Sequence, residues 1–272
     1  MTKYIEIIIA TADAAQKDLL IAQLSEAGVE GFEEDRNLLK AFIKEGMYDT
    51  LKPDEIIQQY GLEYSTNIIE ERNWNAEWEA GFTPVVVTDF CAIRAAFHAP
   101  MPGVKHEIII TPKMSFGTGH HATTYMMVQA MQQIDLADKT VFDFGTGTGV
   151  LAILAEKCGA ASIKAIDNDD WSITNAVENI AANNCHKIAL SKASEIAGNE
   201  QYEVILANIN RNIILEHMSS IKQHLAINGV VLLSGLLTGD EAIIAASAQK
   251  QELSIKHRFE MNGWICLLVV NT

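Results

Sequence analysis

Val141-Phe-Asp-Phe-Gly-Thr-Gly-Thr-Gly149 is the stretch from which the rest of this 272-residue chain can be read. An apolar strand ends at Asp143 and Phe144, three glycines form a turn, and Val150 opens an apolar helix. One helix length later Ala165-Ile-Asp167 reads as a second buried strand ending in an acid. Glycines 145, 147 and 149 allow the backbone to approach a bound ligand closely, where a Cβ would clash or forbid the turn. Asp167, about twenty residues past the loop, is placed to accept hydrogen bonds from the two hydroxyls of a ribose. The pattern predicts an adenosyl-cofactor site.

Glycine spacing narrows the choice of cofactor. A dinucleotide fold requires G-x-G-x-x-G with a diphosphate on the helix N-terminus, whereas here the third glycine comes one residue early. No Gly-Lys-Ser/Thr follows, which excludes a P-loop. The spacing favours a ligand without phosphates, and S-adenosylmethionine fits: its methionine end needs close backbone approach and its ribose needs the acid. Gly145 and Gly147 are expected at the methionine end, with Asp143 beneath them to accept from the cofactor's amino group directly or through water.

Outward from the loop, helices and strands alternate. Helices are expected at His121–Ile134, Val150–Cys158, Trp171–Asn183, Arg211–Leu225 and Gly239–Gln249. Strands fall at Thr140–Phe144, Ser162–Asp167, near Ile188, at Glu203–Asn208 and at Gly229–Ser234. The strands are near-continuous apolar runs, as when helices cover both faces. This predicts an α/β fold with a doubly wound, mostly parallel Rossmann-like sheet, its ligand at the carboxyl ends of the strands. His257–Phe259 and Trp264–Val270, joined across Asn262-Gly263, read as a closing hairpin. Upstream, short strands are expected at Pro84–Thr88, Ala92–Arg94 and Glu107–Ile110.

Residues 1–69 read as strand, helix, strand, strand, helix, strand: Tyr4–Ile9, Asp13–Ala27, Gly31–Glu34, Asn37–Ile43, Pro53–Tyr60 and Glu63–Ile69. Two such halves make a smaller ferredoxin-like α+β domain, a common interaction module. Residues 70–81, with Trp74 and Trp78 at helical spacing, read as a linker helix, and 82–272 as the catalytic domain.

Composition bounds the function classes. Hydrophobic residues make up 49% and charged residues 20%, a globular balance. No apolar run approaches the roughly 20 residues of a membrane span, and Glu6 interrupts the opening apolar stretch, so a cytoplasmic protein without membrane contact is expected. Cys91, Cys158, Cys185 and Cys266 include no C-x-x-C pair, and His120-His121 is the one close histidine pair, so no metal site is expected. A net charge of −15 disfavours a nucleic-acid footprint. Residues 1–69 carry 6 Lys/Arg against 13 Asp/Glu, which suits a basic partner. A monomer is expected.

Three segments bring chemistry to the carboxyl edge of the sheet. Thr111–Thr124, TPKMSFGTGHHATT, is crowded with small and polar residues; Phe116 could stack on adenine or cap the site, and Thr118, Thr123 and Thr124 could cap a helix or donate to a carboxylate. The glycine loop with Asp143 and Asp167 is the second. In the third, Leu206-Ala-Asn208-Ile-Asn210, an apolar strand ends in amides, Asn208 placed at the reacting centre and Asn210 as a helix cap. The sulfonium being already activated, the enzyme must align a nucleophile and strip its water. The side-chain carbonyl of Asn208 could accept an amine N–H and orient the lone pair, where an aspartate would favour the unreactive ammonium.

Taken together, FGTGHHATT, VFDFGTGTGVLAI, IDND, LANIN, LSGLL, NWNAEW and the terminal NGWICLLV resemble the bacterial methyltransferases of ribosomal large-subunit protein eleven, the PrmA family. The resemblance implies S-adenosylmethionine-dependent methylation of lysine ε-amines and the N-terminal α-amine of that basic ribosomal protein, recognised by the amino-terminal domain. It carries cofactor contacts onto Thr124, Gly145, Asp167 and Asn208, with Phe116 and Thr118 nearby. Thr148 stands where the family often has serine, and Asn210 where leucine is usual. Two rival readings stay open: a methyltransferase of a nucleic acid or small molecule, and a non-catalytic cofactor-binding regulator. Against the first, Asn208-Ile-Asn210 lacks the prolines and the aromatic that stack a flipped base.

Overall fold

The computed structural model describes residues 3–70, 82–113 and 116–271. The chain divides into two compact units, Met1–Gly81 and Phe82–Thr272. The segment expected to form a linker helix, with Trp74 and Trp78, lies outside the described residues apart from Glu70, which ends a strand.

In the first unit, strict alternation decides the sheet. Ile7 and Ile9 of β1 (Lys3–Ala10) and Leu39, Ala41 and Ile43 of β3 (Leu38–Lys44) are buried on one face. Leu20 and Leu24 of α1 (Ala14–Glu26) and Ile57 of α3 (Pro53–Gln59) cover that face. With β2 (Gly31–Glu34) and β4 (Tyr64–Glu70) the strands pair antiparallel in the order β2-β3-β1-β4, the ferredoxin-like arrangement. Asp13 caps α1 by accepting from Ala15 N at 2.9 Å and Gln16 N at 3.2 Å. An additional helix, α2 (Glu45–Leu51), has no buried residue and therefore no apolar period to announce it. Lys52, left-handed at φ 42°, separates it from α3, where Pro53 opens the next helix.

The second unit begins with a three-stranded sheet, β5 (Val85–Val87), β6 (Cys91–Ala95) and β7 (His106–Ile110), mixed in direction. The main sheet has seven strands in the order β10-β9-β8-β11-β12-β14-β13. β8 (Thr140–Phe144), β9 (Ser162–Asp167), β10 (Ile188–Lys192), β11 (Tyr202–Asn208) and β12 (Leu225–Leu237) run parallel. β13 (Leu253–Met261) and β14 (Trp264–Asn271) form the terminal hairpin, with β14 antiparallel to β12. Asn262 and Gly263 turn it with φ of 51° and 79°, the signs a type I′ turn needs.

Helices cover both faces. α4 (Ala122–Met131), α5 (Val150–Lys157) and α6 (Asp170–Ala182) follow the β-α alternation around the glycine loop, and α7 (Arg211–His224) and α8 (Glu241–Lys250) follow β11 and β12. Separate apolar cores lie on the two faces: one joins Met127, Leu151, Ile163 and Leu206, the other Phe142, Ile205, Ile214 and Ile244. The doubly wound, mostly parallel α/β sheet expected from the sequence is therefore the observed one. The strand expected at Gly229–Ser234 extends to Leu225–Leu237 because its ladder continues past a register shift beside β14. The α4 helix is shorter than its apolar run, since His121 occupies the cap and Gln132 ends it.

Candidate active site

The carboxyl ends of β8, β9, β10 and β11 open onto a cavity of about 670 Å³, within the range of roughly 300–1,000 Å³ usual for small-molecule sites. Phe116, Gly145, Gly147, Asp167 and Asn208, all singled out in the sequence, line it.

The glycine loop is bent by its own backbone. Gly145, Gly147 and Gly149 have φ of 73°, 55° and 81°, a region that side chains rarely adopt. A Cβ at Gly147 would stand 2.3 Å from the carbonyl oxygen of Phe116, and one at Gly145 would stand 2.3 Å from Ile209. The glycines thus admit neighbouring chain segments as well as a ligand. Thr148 holds the Phe116 segment in place, its N–H donating to Phe116 O at 3.0 Å and its hydroxyl to Gly117 O at 2.8 Å.

Asp167 ends β9 at the cavity wall. Its Oδ2 accepts from Gly147 N at 2.9 Å and its Oδ1 from Asp169 N at 3.0 Å, and each oxygen keeps a lone pair for an outside donor. Asn208 ends β11, on the other side of β8, and also lines the wall. Its Nδ2 donates to Thr124 Oγ1 at 3.3 Å, while its buried Oδ1 has no partner. Asn210 caps α7, accepting from Asn212 N at 3.1 Å and Ile213 N at 3.2 Å.

Of the remaining candidates, Thr123 also lines the cavity, whereas Thr118, Thr124 and Asp143 are not among the wall residues. Thr124 is fully buried and reaches the cavity through Asn208. Thr118 pairs with His120 Nδ1 at 3.2 Å. Asp143 lies 1% exposed beneath the loop and accepts a hydrogen bond from the Thr146 hydroxyl, while its Oδ1 has no partner. The cap of α4 falls to His121, whose Nδ1 accepts from Thr123 N at 3.3 Å.

Sequence reading missed other wall residues. Trp264 packs edge-on to His121 with ring centroids 4.7 Å apart, and Phe116 lies 5.2 Å from the same imidazole. Gly235 has φ 83°, and a Cβ there would stand 2.2 Å from Ile209 O; its signal was a glycine inside an apolar strand run. A ladder of buried amides on α6 was missed as well. Asn179 accepts from Thr111 N at 2.7 Å and donates to Thr148 O at 2.8 Å, and Asn183 exchanges two bonds with the Ile109 backbone. Its signal was three asparagines, 175, 179 and 183, four residues apart along the helix and its C-cap.

The wall chemistry can be tested against a cofactor. Asp167, Glu195 and Glu216 line the cavity with no lysine or arginine among the wall residues, a poor receptor for phosphates and a good one for a cation. The glycine cradle, the acid at the end of β9 and the acidic wall fit the ribose and cationic sulfur of S-adenosylmethionine. Fold and site together define a Rossmann-like, S-adenosylmethionine-dependent methyltransferase. Residues 4–272 match the family described as ribosomal protein L11 methyltransferase (PrmA), and the chain belongs to it.

Relatives and structures agree. The chain is 40% identical over 258 residues to the ribosomal protein L11 methyltransferase of Porphyromonas gingivalis, covering 92% of this chain and 89% of that one. It is 39% identical over 270 residues to that of Chlorobaculum tepidum, covering 94% and 93%. The crystal structure of ribosomal protein L11 methylase from Lactobacillus delbrueckii subsp. bulgaricus superimposes with a TM-score of 0.65 at 30% identity, over 69% of this chain and 98% of that one. A methyltransferase from Pyrococcus furiosus shares the fold, with a TM-score of 0.52 at 18% identity, over 60% and 88%.

Proposed function

We propose that this methyltransferase modifies amines of ribosomal protein L11, the lysine ε-amines and the N-terminal α-amine, using Asn208 to orient the nucleophile. The observation that carries this reading is the buried Oδ1 of Asn208, without a partner in the cavity wall. Thr124 occupies the amide nitrogen and so directs the oxygen's acceptor capacity away from itself. An N–H of an incoming amine satisfies that oxygen and presents its lone pair to the cavity.

Bound S-adenosylmethionine supplies the activated methyl. The rest is alignment and desolvation by this chain. Phe116, Gly145, Gly147 and Asp167 hold the cofactor, Thr124 fixes Asn208, and Thr118 and Asp143 shape the loops behind the wall. A lysine amine must first lose a proton, at about 4–5 kcal/mol at pH 7, and an α-amine much less. A neutral amide does not oppose that loss as a carboxylate would. No side chain of the wall is assigned as general base, and the proton leaves to water.

The first unit is the recognition module in this reading, and its excess of carboxylates complements a basic ribosomal protein. Incubation of the purified chain with labelled S-adenosylmethionine, total ribosomal proteins and ribosomal RNA is expected to label L11, with lysines and the N-terminus as the modified positions by mass spectrometry. Label in ribosomal RNA and none in protein would overturn the reading in favour of a nucleic-acid methyltransferase. Cofactor binding without transfer to either would favour a regulator.

A further inference from the structure

A second cavity, of about 290 Å³, opens where α4 and α5 end and shares no wall residue with the first. Phe90, Met131 and Leu136, all buried, form its apolar side, while Lys105, His106, Asp135 and Lys157 bring charge or a titratable ring to it. In a chain of 35 acids and 20 bases a lysine readily finds a carboxylate, as Lys44, Lys113, Lys139 and Lys192 do at 2.6–2.9 Å. Among the described residues neither Lys105 nor Lys157 has such a partner; Lys105 Nζ stands 6.0 Å from the centroid of the Phe90 ring. The one carboxylate of the cavity, Asp135, already accepts through Oδ1 from Ala137 N at 3.0 Å. Lys157, in the last turn of α5, also suits the negative end of that helix. Lys105 comes from a different element, the turn before β7, and has no such explanation. Both lysines act on one ring: burial first, then their two charges, hold the His106 imidazole below its ordinary range. That ring packs edge-on to Phe90 with centroids 5.2 Å apart, and its Nε2 lies 3.7 Å from Cys158 Sγ.

We propose that this cavity binds a small phosphate-bearing anion, with Lys105 and Lys157 as its counter-charges and His106 and Gln132 as hydrogen-bonding groups. Two ammonium groups converging without anions repel each other, and a dianion relieves both at once where a single carboxylate would leave one unmatched. Lysine serves phosphate as a compact point charge and needs no bidentate geometry. Gln132 Oε1 accepts from Thr88 Oγ1 at 3.3 Å, so its amide N–H groups remain for an acceptor. The volume lies just below the roughly 300 Å³ at which small-molecule sites usually begin, which limits the ligand to free phosphate or the phosphate ester of a small metabolite. For the ester, the apolar side beside Phe90 receives the organic part. The acidic cofactor cavity has no lysine or arginine in its wall and does not compete for such a ligand.

The full chain is titrated at constant ionic strength with inorganic phosphate and, separately, with ribose 5-phosphate, by calorimetry and by NMR of its histidine rings. Saturable binding at millimolar or lower concentration is expected. The His106 resonances, assigned by their absence from His106→Gln, should move, while those of His121 in the cofactor wall stay in place. Changing Lys105 and Lys157 together to glutamine should weaken binding at least about tenfold, with an unchanged S-adenosylmethionine affinity as the sign of an intact fold. If the double variant loses that affinity, Lys105→Gln alone, at an exposed position, decides the matter with an expected loss of about threefold. Tighter binding of the ester makes a phosphorylated metabolite the ligand, and equal or tighter binding of inorganic phosphate makes it the free anion. No saturation by either probe, binding that survives the lysine substitutions, or shifts at His121 without shifts at His106 overturns the proposal and leaves the methyl-transfer site untouched.

Discussion

Asp167 has two tasks that a substitution can divide. Its carboxylate ties Gly147 N and Asp169 N together, which shapes the loop, and it faces the cavity. Asp167→Ala is expected to weaken S-adenosylmethionine binding by about 1–3 kcal/mol, and calorimetry showing unchanged affinity would remove it from the ribose. Asn208→Ala removes an acceptor that the amine requires and the ribose does not. It should lower turnover at least about tenfold with little change in cofactor affinity, by single-turnover kinetics beside the same calorimetry. Asp143 adds a pH signature to stability. Between its ordinary value of 3.8 and its folded value of about 7, the folded chain holds a proton that the unfolded chain has lost. Stability from this group is therefore highest at low pH, falls as pH rises through that window and is level above it. Asp143→Asn should remove a slope on the order of 1 kcal/mol per pH unit from denaturant unfolding curves between pH 5 and 7. Asp167 and Asn208 were legible because each polar residue abruptly ends an apolar strand. The place of Asp143 behind the wall was not legible, because it depended on which way an alternating strand faces.

At the scale of elements, the site is a set of loops held by buried polar bonds. Asn179 links Thr111 at the end of β7 to Thr148 in the glycine loop, with both ends of its amide engaged and no exposure. Asn179→Leu leaves the buried Thr148 carbonyl and the part-buried Thr111 N–H without partners and is expected to destabilise the second unit by about 1–3 kcal/mol, as read from the midpoint of chemical denaturation. The more local test is Gly147→Ala. Its Cβ would meet a backbone oxygen at 2.3 Å in a left-handed conformation, so the Phe116 segment must move and cofactor affinity should fall at least about tenfold. An unchanged affinity would show that the loop relaxes without disturbing the wall. The order of strands and helices could be read from periodicity, because each β-α unit is local in sequence. The wall position of Trp264 could not, since it depends on the insertion of β14 between β12 and β13, a pairing of the chain's end that no local pattern specifies.

For the whole molecule, the proposed reading assigns catalysis and recognition to different sets of charges. The cavity's acids answer the need to hold a cation, but they serve any amine and cannot select one protein. Selection requires a larger complementary field, and the chain's −15 charge includes an excess of seven acids over bases in residues 1–69. Glu26, Glu34, Glu45 and Asp49 there are exposed on the helices and edge strand of the first unit. Their contribution to the capture of a basic protein should be long-ranged and screened by salt, with a Debye length near 8 Å at physiological ionic strength. Replacing all four by their amides is expected to raise KM for ribosomal protein L11 about threefold to tenfold, flatten its salt dependence, and leave both kcat and S-adenosylmethionine affinity close to the parent values. None of the four belongs to the cavity wall, so a fall in kcat would point to disturbed folding rather than recognition, and circular dichroism separates those causes. An unchanged KM at low salt would mean that these carboxylates only keep the protein soluble, and recognition would then have to reside in other features of the first unit or in the rim of the cavity itself.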